Sequence, residues 1–185
     1  MTMTQIRRWL LTTRDLGYLG PIRVSMERSA YVGLGMVALV MFVAALMWLN
    51  GTGSDRLMGA FLATIGYYFS LMVHHMGHYL AGLYAGYPLA RLHFYGVLAR
   101  DVYPTNEPKL AANIHLRRAL GGPSASVLAA LACLLLVVIT PGGILRFVFL
   151  TGFWVNLLIF TLGALIPAFG LDGDVIRRYW PQRRV

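Results

Sequence analysis

The sequence contains few charged residues and a single cysteine. Only 12% of its 185 residues are Asp, Glu, Lys or Arg, whereas a soluble domain typically carries about 25%. We therefore do not expect a water-soluble fold. The one cysteine, Cys133, lies inside an apolar run, so the sequence offers neither a disulfide framework nor a cysteine metal site.

Long apolar runs take the place of the missing charges. A bilayer core about 30 Å thick needs roughly 20 apolar residues in a helix, and four runs are long enough. These runs are Ala30 to Leu49, Leu57 to Ala90, Ala119 to Thr140 and Phe147 to Leu171. The second helix should end near Gly86 and Pro88, because Gly and Pro together stop a helix. The sequence thus predicts an all-α integral membrane protein with four transmembrane helices.

The basic residues are distributed unevenly among the connecting segments. Of the 16 Lys and Arg residues, all but Arg56 and Arg146 lie before the first helix, between the second and third, or after the fourth. This distribution follows the positive-inside rule, so we predict a multi-pass protein with both termini in the cytoplasm, in the cytoplasmic membrane of a prokaryote. Basic residues beside a lipid bilayer with anionic headgroups need no nucleic-acid partner, and we expect none.

The chain divides into segments of different composition. Residues 1–29 are basic with interspersed apolar side chains, which suits either an amphipathic segment on the membrane surface or a basic tail. Residues 30–56 form the first transmembrane helix and a short outer loop, 57–180 the membrane core, and 181–185 a basic C-terminal tail. Residues 86–118 are too polar to span the bilayer, and they predict a short strand or hairpin that covers a polar site.

Three histidines lie within the second apolar run, at His74, His75 and His78. Ionisable groups inside membrane helices are costly, and by default they mark a site or find partners. His74 and His78 are four residues apart and project from one helical face, which is the spacing with which two imidazoles bind one zinc ion. The alternative is a pair of neutral histidines hydrogen-bonded within the helix bundle.

A zinc site needs at least one further ligand, because zinc usually takes three or more protein ligands. His75 points about 100° away from His74 on the same helix. The remaining candidates are His93, His115, Asp172 and Asp174. The second and fourth helices run in the same direction, so Asp172 should lie at a depth similar to that of the histidines. Either aspartate can instead simply terminate the fourth helix.

Three motifs in this sequence resemble those of the site-2 proteases, which are intramembrane zinc metalloproteases. Residues His74 to His78 resemble the family's His-Glu-x-x-His, and Gly122 to Ser126 resemble its Gly-Pro-x-x-Asn. Residues Pro167 to Gly173 match Pro-x-x-x-Leu-Asp-Gly. The motifs occur in the family's order within residues 57–180, so the resemblance implies a site-2-protease-like core formed by the last three helices.

The resemblance also assigns roles to individual residues. The zinc ligands that it implies are His74, His78 and Asp172. The residues that it implies shape the site by helix packing are Gly122, Pro123, Pro167 and Gly173. Small residues commonly allow close helix contacts in membranes.

The chain departs from the family at the general base. The family's Glu directly follows the first ligand, and here that position is His75. General acid–base catalysis is typically worth 10² to 10⁴-fold in rate. If His75 has to replace the Glu as the catalytic base, peptide hydrolysis should be severely weakened. The family's Asn positions are also changed, to Ser126 and Ala164.

The sequence therefore predicts a site-2-protease-like membrane protein that binds zinc, is proteolytically impaired, and acts by holding or scaffolding another membrane protein. One alternative is an active intramembrane zinc metallopeptidase that has the other membrane protein as its substrate. A second alternative is an accessory structural subunit of a larger membrane complex with no metal.

Overall fold

A computed structural model describes residues 2–184, so Met1 and Val185, at the ends of the two terminal segments, lie outside the described residues. The elements in chain order are α1 (Met3–Leu10), β1 (Thr13–Leu19), β2 (Ile22–Glu27), α2 (Ser29–Trp48), α3 (Gly53–Tyr84), β3 (Arg91–Tyr95), β4 (Leu98–Val102), α4 (Ala112–Ile139), α5 (Ile144–Trp154), a π-helical segment (Val155–Gly163), α6 (Asp172–Tyr179) and a final 3₁₀ turn (Pro181–Arg184).

Within residues 2–184, four helices are long and apolar enough to cross a membrane: α2, α3, α4, and α5 together with its π-helical continuation. The prediction of four such helices is confirmed. The helix α3 ends at Tyr84, just before the Gly86 stop signal. The fourth helix, residues 144–163, ends earlier than its apolar run, because the chain leaves helical geometry after Gly163.

The all-α prediction is wrong in one respect, because the protein contains a four-stranded sheet in the order β1-β2-β3-β4. The hairpin β3–β4 occupies the segment in which strands were expected. The additional strands β1 and β2 lie within residues 1–29, which were expected to be an amphipathic segment or a tail. Strand β2 pairs in parallel with β3, and this pairing satisfies backbone groups that neither segment could satisfy alone.

Buried and half-buried polar side chains reinforce the junction between β2 and β3. Ser25 Oγ lies 2.9 Å from Nδ1 of His93, and Nε2 of His93 lies 3.1 Å from Glu27 Oε1. Ser29 Oγ donates to Glu27 and accepts a hydrogen bond from the Gly96 amide. These bonds hold His93, one of the candidate third ligands, within the sheet.

The helices α3 and α4 cross at a pair of glycines. A Cβ atom at Gly77 would collide with the carbonyl oxygen of Gly121, and a Cβ atom at Gly121 would collide with that of Gly77. Small residues of this kind let helix backbones approach closely in membranes. The contact places α4 directly against the turn of α3 that carries the histidines.

Candidate metal centre

His74 and His78 lie on one face of α3, and both side chains are buried. Their Nε2 atoms are 3.0 Å apart. The Oδ2 atom of Asp172 lies 3.4 Å from Nε2 of His74 and 3.3 Å from Nε2 of His78. The three residues that the motif resemblance implied as ligands are thus brought together by two distant parts of the chain.

The loop after the fourth helix brings Asp172 back towards α3. Phe169 and Gly170 both have left-handed backbone conformations, with φ angles of 58° and 72°. The Gly173 amide then donates to the Ala164 carbonyl oxygen at 2.9 Å. A Cβ atom at Gly173 would collide with the Leu165 carbonyl oxygen, so glycine is required next to the carboxylate.

The residues expected to shape the site occupy different positions around it. A Cβ atom at Gly122 would collide with the imidazoles of both His74 and His78. Pro123 follows it inside α4 and is buried. Pro167, in contrast, is an exposed residue of the loop before Asp172. Gly122 therefore lets α4 approach both imidazoles, whereas Pro167 lies in the exposed loop that leads to Asp172.

The second ring nitrogen of each histidine is also bonded. His74 Nδ1 lies 3.0 Å from Ser126 Oγ, and His78 Nδ1 lies 2.8 Å from the Arg118 carbonyl oxygen. Because a carbonyl oxygen can only accept a hydrogen bond, His78 Nδ1 donates this one. In the neutral imidazole, Nε2 then keeps a lone pair that can bind a metal ion. Metal-binding histidines are typically oriented by such bonds to their second nitrogen.

The three donor atoms fit a zinc ion. Zinc–nitrogen and zinc–oxygen bonds of about 2.0–2.2 Å in tetrahedral geometry place the ligand atoms roughly 3.3 Å apart, and the observed separations are 3.0, 3.3 and 3.4 Å. A carboxylate oxygen and two imidazole nitrogens each offer a lone pair at this point, and a zinc ion would bind all three.

The Ser126 contact gives a testable prediction. We expect Ser126→Ala to weaken zinc affinity by about 10- to 100-fold, which is the usual cost of losing a group that orients a metal ligand. The measurement is a competition titration with a zinc chelator in detergent. Ser124→Ala is the matched control, since Ser124 lies on the same helix but is exposed. Equal affinities for the two variants would contradict the orienting role of Ser126.

His75 does not join the first group but faces β4. Its Nδ1 atom lies 2.9 Å from Oδ1 of Asp101, and Oδ2 of Asp101 lies 4.0 Å from Nε2 of His78. Among residues 2–184, two groups of side chains are close enough to share a metal ion: His74, His78 and Asp172, and His75, His78 and Asp101. Asp101 was not singled out from the sequence, because only the pairing of β4 with β3 brings it to α3.

The two remaining candidate ligands have other partners. The ring of His115 stacks on Tyr179 with centroids 4.0 Å apart. Asp174 accepts hydrogen bonds from the Gly170 amide at 2.8 Å and from Arg177 at 3.2 Å. Asp174 thus stabilises the loop next to Asp172 from the first turn of α6, rather than terminating the fourth helix, which ends at Gly163.

A cavity of about 780 Å³ opens onto the histidines, Asp101 and Asp172. Apolar side chains of α3, β4 and the fourth helix form much of its wall, and the segment after β4 borders it with Tyr103 and Glu107. Arg118 holds this segment, because its guanidinium pairs with Glu107 at 3.0 Å and stacks on the ring of Tyr103. Burial raises the pKa of Tyr103 to about 12, so its phenol keeps its proton.

This fold is similar to that of a site-2 protease of known structure. The site-2 protease from Methanocaldococcus jannaschii is similar to this chain with a TM-score of 0.61 and 16% sequence identity, over 94% of this chain and 73% of that chain. The similarity therefore extends beyond residues 57–180, to which the motifs are confined. No protein-family model matches the chain, and no curated protein matches it.

The four apolar helices and this fold together indicate an integral membrane protein. At 16% identity the similarity shows the fold alone.

Proposed function

We propose that this protein binds one zinc ion through His74, His78 and Asp172 and hydrolyses a peptide bond of another membrane protein. The observation that carries the proposal is the convergence of two imidazole nitrogens and one carboxylate oxygen at zinc-like separations, next to a cavity that can admit a peptide. Catalytic zinc sites commonly have three protein ligands and an open fourth position.

When bound, zinc polarises a carbonyl group and lowers the pKa of a coordinated water towards about 7. The residues of the chain support this chemistry in separate ways. Ser126 and the Arg118 carbonyl fix the orientation of the two imidazoles. Buried Leu71 and Phe160 line the cavity and limit access of water, which strengthens electrostatic interactions in the site.

The same proposal includes an orientation in the membrane. Most Arg and Lys residues lie on the side that contains both termini and the β3–β4 hairpin, so we place that side in the cytoplasm. The helix α3 then runs inwards and carries His74 and His78 towards its cytoplasmic end. A peptide bond near the cytoplasmic face of a prokaryotic membrane would be the one that reaches the site.

A second candidate function is binding of another membrane protein without cleavage. The observation that favours it is His75, which occupies the position of the family's general-base Glu. A zinc ion would then stabilise the helix bundle, and the cavity would hold the partner. An accessory subunit without metal would follow only if the three-residue group binds no zinc.

Reconstitution with a model substrate separates these functions. The protein and a quenched-fluorescent transmembrane peptide with about 20 apolar residues would be placed in vesicles of phosphatidylethanolamine and phosphatidylglycerol. We expect cleavage that stops on chelation and resumes with added zinc. His74→Ala combined with His78→Ala serves as the inactive control. Bound zinc without cleavage over days would favour the binding function, and absence of zinc would favour the accessory subunit.

A further inference from the structure

The carboxylate of Asp101 lies next to His75, the residue at the position of the family's general-base Glu. Asp101 projects from β4, and its side chain is 11% exposed. Its Oδ1 atom lies 2.9 Å from Nδ1 of His75, and its Oδ2 atom lies 4.0 Å from Nε2 of His78. His75 therefore holds one carboxylate oxygen of Asp101, and the other oxygen lies near His78, one of the proposed metal ligands.

The sheet fixes Asp101 in this position. The strand β4 is antiparallel to β3, with Asp101 opposite the buried Leu92. Side chains alternate along a strand, and the neighbouring Arg100 is exposed, so Asp101 points inwards. A side chain on a paired strand and with a bonded carboxylate has little freedom to move, as a catalytic group requires.

We propose that Asp101 is the catalytic carboxylate of this site and that His75 is its positioning residue. This inference rests on the proposed zinc-dependent hydrolysis. During that reaction the oxygen of water bonds to the peptide carbonyl carbon, and Asp101 Oδ2 accepts one proton of the water. The C–N bond then breaks, and Asp101 passes the proton to the leaving amine nitrogen. The products are a carboxylic acid and an amine.

The distances favour this role over that of a fourth metal ligand. Donor atoms of a tetrahedral zinc site lie roughly 3.3 Å apart, and the 4.0 Å from Asp101 Oδ2 to His78 Nε2 exceeds that separation. Oδ1 is already engaged by His75. Asp101 would therefore lie beside the metal ligands, where it could accept a proton from a water molecule bound next to them. A general base must lie within hydrogen-bonding distance of the proton that it takes.

The test uses cobalt-loaded protein and acetohydroxamate, a metal-binding acid that gives up a proton to a neighbouring acceptor when it binds. The proteins are wild type, Asp101→Asn, and Asp101→Asn combined with His75→Glu. We expect one cobalt ion per chain in all three. Acetohydroxamate affinity should fall by about 10- to 100-fold in Asp101→Asn, which is the scale of one hydrogen bond to a charged group. The Glu of the double variant should restore most of this affinity.

Asp55→Asn is the matched control, because it is the same change at a carboxylate at the opposite end of α3 that does not line the cavity. We expect it to bind acetohydroxamate as the wild type does. Unchanged affinity in Asp101→Asn with cobalt retained would overturn the role of Asp101 and leave the proposed function intact. Loss of cobalt from Asp101→Asn alone would overturn it in favour of a fourth ligand. Absence of cobalt from the wild type would refute the proposed function and this inference together.

Discussion

Replacing Asp172 by alanine should release the bound zinc while the helix bundle stays folded. The substitution removes one of three donor atoms and leaves two imidazoles, which is fewer protein ligands than zinc sites usually have. We expect affinity to fall by more than the roughly 100-fold that loss of an orienting group can cost. Metal content by mass spectrometry should drop from about one zinc per chain to near zero.

Asp174→Ala is the control for this experiment. Asp174 lies two residues further along α6, and its carboxylate bonds to Gly170 and Arg177 rather than to the histidines. It should therefore keep its zinc. If Asp172→Ala also kept its zinc, the ion would be held elsewhere, and the group of His75, His78 and Asp101 would become the first alternative.

Gly77→Val should destabilise the helix bundle strongly. A Cβ atom at this position would collide with the Gly121 carbonyl oxygen and contact the Cβ atom of Ala125. Overpacking of this kind typically costs 1–3 kcal/mol, and we expect about 3 kcal/mol because one of the atoms struck belongs to the backbone. The free energy of unfolding can be measured by titration with sodium dodecyl sulfate in mixed micelles.

Gly66→Val controls for the introduction of valine into α3. No heavy atom lies within 4 Å of a Cβ built at Gly66, while the cost of valine in a helix is the same as at Gly77. We expect a change of less than about 1 kcal/mol. Similar losses for the two variants would show that the α3–α4 crossing does not depend on the close contact at Gly77.

Local sequence patterns predicted the parts of the structure that depend on local physics. Apolar runs predicted the four helices, because each run is long enough for a helix to cross the apolar core of a bilayer. The four-residue spacing of His74 and His78 predicted their common face, because helix geometry alone sets it. Their convergence with Asp172 was inferred from the resemblance of three motifs, since no local rule connects residues so distant in the chain.

Features that depend on pairing between distant segments were not predicted. In β2, Ile22, Val24 and Met26 alternate with polar residues, but six residues in a basic segment do not distinguish a strand from a tail, and β2 is stabilised in part by its pairing with β3. The position of Asp101 depends on that sheet, so the sequence offered only an acidic residue in a polar segment. The sequence likewise left His93 and His115 open as ligands, because their actual partners are distant in the chain. His93 bonds to Ser25 and Glu27, and His115 stacks on Tyr179.

Zinc K-edge X-ray absorption of the purified protein in lipid tests the central claim most directly, because it reports the atoms that surround the metal. We predict zinc with nitrogen and oxygen neighbours at about 2.0–2.2 Å, the outer-shell scattering of two imidazoles, and loss of this signal in Asp172→Ala. Protein without zinc, or zinc with a single imidazole or with a sulfur neighbour, would contradict a site formed by His74, His78 and Asp172.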